Sequence, residues 1–81
     1  MPYFEFIWTD EAIDHIAEHD ISQQDFEAVV CDPVGTGTSR SSGLPLAFGY
    51  AADGRYIIAV FEMIDDITVL PVTAYEVHEP G

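Results

Sequence analysis

Residues 15 to 19 read HIAEH, so His15 and His19 stand four apart with Glu18 just before the second. This is the H-x-x-E-H spacing of the inverted zinc proteases, in which two imidazoles hold the metal and a glutamate moves the proton. Histidines at i and i+4 share a helix face, so two ligands are geometrically available. Catalytic zinc also requires a third protein ligand and a cleft for substrate. The helix carrying this motif is short, and nearly everything after the next helix reads as strand. The protease architecture does not fit, and neither a metal nor a cofactor is expected. Placed at 100° intervals, His19 falls on the edge of the apolar stripe as a half-buried helix-end residue and His15 further round toward solvent.

The elements that must position these residues are legible from local patterns. PYFEFIW reads as a strand, with Phe4, Phe6 and Trp8 on one face and Tyr3, Glu5 and Ile7 on the other. Thr9 is a candidate N-cap, with Asp10 and Glu11 in the first turn, and the helix should run from about Asp10 to Glu18. Its inner face is Ala12, Ile13, Ile16 and Ala17. Ser22 should cap a second helix from Gln23, Ile21 and Phe26 can form a hydrophobic staple, and Asp32-Pro33 should end it. Phe26, Val29 and Val30 are its apolar stripe. The Gly- and Ser-rich stretch that follows reads as a mobile loop or an edge strand, of which a short strand over Thr36 to Arg40 is preferred. LAFGYA and RYIIAVFEMI flank the hairpin signal ADG, and ITVLPVTAYEV follows a tight DD turn. Pro71 cannot donate to a ladder, so it predicts an edge position or a bulge. The HEPG tail is expected to fray. The fold class is therefore α+β: an N-terminal strand, two short helices, then three to four antiparallel strands in a curved sheet. The chain, 1–81, reads as a single domain.

Charge narrows the function classes. Fifteen acidic residues stand against Arg40 and Arg55, with no lysine, for a formal net charge of −13. Nucleic-acid binders present several cations to phosphates, so RNA should bind weakly if at all, and a basic protein is the expected partner. Adaptation to a high-salt cytoplasm would produce the same composition. No apolar run is long enough to span a bilayer and the first residues lack a signal-peptide pattern, which predicts a cytoplasmic protein without membrane attachment. Cys31 is the only cysteine, so it excludes an internal disulfide and reads as a buried free thiol.

In order and spacing, FIWTDEAIDHIAEHDISQQDFEAVVCDPV, SRSSGLPLAFGYAADGRYIIAVFE and ITVLPVTAYEV resemble the BrnT-type toxins of the RelE superfamily across nearly the whole chain. In that family a strand leads to a helix ending in KHG, then to a capped helix closing near DP. A DGR turn, a long apolar strand and a last strand ending near SAR follow. Here EHD and CDP stand for the first two, and Asp53-Gly54-Arg55 and Thr73-Ala74-Tyr75 for the later ones. Glu18 replaces the KHG lysine and Tyr75 the SAR arginine.

The resemblance implies a RelE/BrnT-like fold and a toxin-antitoxin role, with RNA cleavage held in check by a basic antitoxin-like partner. Metal-independent cleavage needs a base for the 2′-hydroxyl, an acid for the leaving oxygen and charge stabilisation at phosphorus. The groups available are His19 as base, Arg40 and Arg55 on the phosphate, and Tyr75 as orienting group or proton donor. The alternative is a non-catalytic acidic module that engages a basic partner through its surface and an open sheet edge, an edge that would also permit a homodimer.

Overall fold

The computed structural model describes residues 4–78. Tyr3 and most of the HEPG tail lie outside that range. In chain order, β1 spans Glu5–Phe6, α1 Asp10–Glu18, α2 Gln23–Cys31, β2 Gly35–Thr38, β3 Pro45–Tyr50, β4 Tyr56–Met63 and β5 Thr68–Glu76. The architecture is α+β, with one five-stranded mixed sheet in the order β1-β5-β4-β3-β2.

Both helices start as their capping residues dictate. The Thr9 hydroxyl accepts from the Ala12 N–H and the Ser22 hydroxyl from the Asp25 N–H, each at 3.1 Å. Between the helices, the Ile21 N–H reaches the Ile16 carbonyl and the Asp20 N–H that of Ala17, the paired bonds of a Schellman ending. That ending requires a left-handed residue, and Asp20 takes it with φ 58°. Ile21 and Phe26 flank the Ser22 cap and are both buried in one cluster, as the staple predicts.

The core lies between the helices and one sheet face. Ile16 from α1 and Phe26, Val29 and Val30 from α2 meet Ala47, Ala51, Ile57, Ala59, Phe61, Val69 and Ala74. Phe4, Phe6 and Trp8 pack against the same cluster, the face assigned to them by alternation. The Trp8 indole also donates to Glu27 at 2.8 Å, tying the first strand to α2. The segment after α2 runs close over β3: a Cβ on Gly49 would be in van der Waals contact with the Val34 amide nitrogen at 3.4 Å.

Three expectations are corrected. The first strand, expected over PYFEFIW, is only Glu5–Phe6; it pairs parallel with β5 through Glu5↔Thr68 and Phe6↔Val69, a pairing the sequence left unassigned, while the four later strands are antiparallel as expected. Hydrophobic alternation gives a strand's faces but not its partner, and here the partner is the last strand of the chain. The strand expected over Thr36 to Arg40 begins at Gly35 and ends at Thr38, because Ser39 to Leu44 form the turn into β3, closed by Ser39 N–H to Leu44 O at 2.8 Å. Ala17, assigned to the inner face of α1, is exposed. α1 packs mainly on β5, and its buried residues are Ala12 and Ile16.

Pro71 sits at a bulge, as its missing N–H suggested. Val60 pairs with Thr73 but Phe61 with Pro71, leaving Val72 as the extra residue. A one-residue slip inverts the faces of everything beyond it. Val69 and Pro71 are buried before the bulge; after it the buried residue is Ala74, with Thr73 and Tyr75 turned the other way. The bulge thus decides where Tyr75 points.

The β4–β5 turn is held by Asp65, whose Oδ1 accepts from the Ile67 and Thr68 amides at 3.0 and 2.8 Å. The Ile67 amide, then Thr68, holds the Asp65 carboxyl below its ordinary range. A depressed folded value means the contribution is present above the unfolded carboxylate pKa and is lost as pH falls through the folded one. Asp65→Ala should therefore lower Tm near neutrality, with the difference from wild type vanishing in acid below both values. Paired Tm measurements across pH test this; a constant difference would contradict it.

Candidate functional site at the end of α1

His15 and His19 exchange the environments expected of them. His15 is half-buried, and its Nδ1 lies 3.2 Å from the Val72 carbonyl, so a proton on Nδ1 bonds α1 to the bulged residue of β5. His19 is the C-cap of α1, past its last helical residue, and is exposed. A helical wheel measures angle round the axis; it does not register that β5 flanks the His15 side or that the chain turns away at His19. The His19 ring still meets Tyr75, with centroids 6.3 Å apart and planes tilted by 59°. Both histidines of HIAEH therefore face β5, one on its backbone and one on an aromatic ring. Among the described residues no three His, Cys, Asp or Glu side chains gather to hold a metal ion.

Arg55 comes to the same end of α1 from the β3–β4 turn. Gly54 takes φ 91° there, and the Arg55 N–H and Nε donate to Asp53 at 3.1 and 2.7 Å. Its remaining nitrogens reach the Asp20 carbonyl at 2.7 Å and the Asp25 carboxylate at 3.4 Å. The guanidinium thus braces the hairpin turn against the α1–α2 junction and is neutralised by two carboxylates. Its N–H is the first cause that holds Asp53 below the ordinary carboxylate range, and the bond to Asp53 in turn raises Arg55. Asp20, Ser22, Asp25, Asp53 and Arg55 line a depression of about 480 Å³ beside this brace.

Arg40 does not join them. It lies in the exposed β2–β3 turn, beyond the Leu46↔Val60 pair, whereas Arg55 precedes the Tyr50↔Tyr56 pair at the other end of the β3–β4 ladder. Of the four residues proposed for phosphate chemistry, His19 meets Tyr75, Arg55 bonds the carbonyl of the neighbouring Asp20, and Arg40 stands apart. No family model, curated protein or solved structure matches this chain.

Cys31 is exposed, correcting its assignment as a buried thiol. It is the last residue of α2. Partial desolvation, then the charge of Glu27, pushes its thiol up, so it is protonated at neutral pH and a poor nucleophile.

Two surfaces went unassigned by sequence reasoning. On the face away from the helices, the Phe48 and Tyr56 rings lie 6.1 Å apart and those of Tyr50 and Tyr56 5.2 Å, edge to face. The alternation of LAFGY and YIIAV was the available signal. On the helix side, an apolar groove of about 470 Å³ runs from Phe4 past Phe61 and Ala47 to Thr36, with Cys31 and Pro33 on its wall. It joins residues far apart in sequence, so no local motif announces it. Among the described residues no helix is long and apolar enough to cross a membrane.

Proposed function

We propose that this chain is a toxin-like domain of a toxin-antitoxin pair, with the RelE/BrnT-like fold, that works by binding a basic antitoxin-like protein and does not cleave RNA. The observation that carries the reading is the state of Arg55. Arg55, which reaches the chain next to His19 through the Asp20 carbonyl, already bonds Asp53 and Asp25 as well, so it is not a free cation for a phosphorane. The net charge of −13 opposes a polyanion and favours a cationic partner. The family resemblance gains support from Asp20. It occupies the glycine position of KHG, and its φ of 58° is the geometry a glycine would serve there.

The expected results are that the purified chain leaves RNA intact at low salt and that it co-purifies with the product of a small neighbouring reading frame rich in Lys and Arg. The second reading, a ribonuclease, is favoured by the 6.3 Å approach of His19 to Tyr75. It would replace the first if RNA were cut and both His19→Ala and Tyr75→Phe abolished the cutting while leaving Tm unchanged.

A further inference from the structure

Among the described residues β2 is the terminal strand of the sheet, bonded to β3 on one side only. Natural edges are guarded by Lys, Pro, bulges or covering loops. Gly35-Thr36-Gly37-Thr38 carries no charge and no proline, and Thr36, Gly37 and Thr38 are exposed. On the opposite side β1 pairs only with Thr68 and Val69 of β5, and α1 packs on that strand, with His15 Nδ1 3.2 Å from the Val72 carbonyl.

The ladder fixes what this edge offers. Ser39 N–H bonds Leu44 O, and hydrogen bonding alternates along an antiparallel pair, so Gly35, Gly37 and Ser39 turn their backbone groups to β3. Thr36 and Thr38 turn theirs outward. Thr36 pairs with buried Ala47 and lines the apolar groove, so the groove opens on the helix side of this same edge. An incoming strand would find main-chain partners at Thr36 and Thr38 and a recess for alternate side chains, the two requirements of strand addition.

We propose that β2 is the docking edge for an extended, basic segment of the partner protein, which adds to the sheet as a sixth strand and sets apolar side chains into the groove between β2 and the end of α2. The inference rests on the reading above that the partner is basic. Charge selects that occupant over a second copy, because two chains of −13 would have to meet edge to edge. Exposed Asp32 and Arg40 flank the two ends of the edge, so the cationic residues of the segment belong at the Asp32 end.

The test uses a synthetic peptide alternating valine with arginine, and a control of equal charge with proline in place of each valine. With the first peptide, amide exchange at Thr36 and Thr38 in the unmodified protein should slow by about tenfold or more. Thr36→Pro, which removes an outward amide and keeps the β3-facing bonds, should weaken binding by about tenfold. Equal binding of both peptides would overturn strand addition while leaving a basic partner standing. Binding of neither would overturn both. Protection of Thr36 and Thr38 without peptide, with a doubled mass in solution, would overturn the proposal in favour of self-pairing.

Discussion

Phe26→Ala should leave the chain at the limit of folding. Phe26 is fully enclosed, 0% exposed, in the cluster that joins both helices to the sheet. Its ring takes the edge of Trp8 at 5.1 Å and of Phe6 at 6.5 Å, so it also anchors the first strand. Truncating a buried phenylalanine costs about 3–5 kcal/mol, through lost transfer free energy and the cavity left behind. A domain of this size has about 4–12 kcal/mol in total. Wild type should unfold cooperatively in urea, whereas Phe26→Ala should show a midpoint near zero denaturant or no transition. Trp8, the single tryptophan, reports it directly because it rests on Phe26. Phe26→Leu, which keeps most of the volume, should fall between the two. A wild-type midpoint for Phe26→Ala would mean the core does not depend on this contact.

What the sequence made legible follows the range of the interactions involved. Thr9 and Ser22 act on amides three residues away, so both helix starts could be read to the residue. Pro71 announced its bulge because a missing N–H is a property of the residue itself. The parallel pairing of β1 with β5 joins Glu5 to Thr68, and no local pattern carries that information. Arg55 is similar: its turn and its pairing with Asp53 lie within Asp53-Gly54-Arg55, but its bonds to the Asp20 carbonyl and the Asp25 carboxylate come from 35 and 30 residues away. The exchange of His15 and His19 has the same origin, since it depends on which side of α1 the last strand passes. The part of the candidate site that decides its chemistry is the part held by these long-range contacts.

Salt should move stability and partner binding in opposite directions. Fifteen carboxylates face two arginines, and one of those, Arg55, is spent on internal pairs with Asp53 and Asp25. The folded chain therefore concentrates unrelieved negative charge, which opposes compaction. Raising ionic strength from about 0.01 M to about 1 M shortens the screening length from about 30 Å to about 3 Å, enough to suppress repulsion across the domain. Recovery of about 1 kcal/mol would raise Tm by about 4–8 °C in a domain of this size. The same screening removes the attraction that steers a cationic partner, so its association rate should fall by about tenfold or more over that range. Thermal melts and association kinetics in one salt series measure both. Salt adaptation alone predicts the rise in Tm with no partner to lose. A rising Tm with a slowing association is what an acidic binding domain requires, whereas an association rate indifferent to salt would remove charge from the recognition and leave the open β2 edge to account for it.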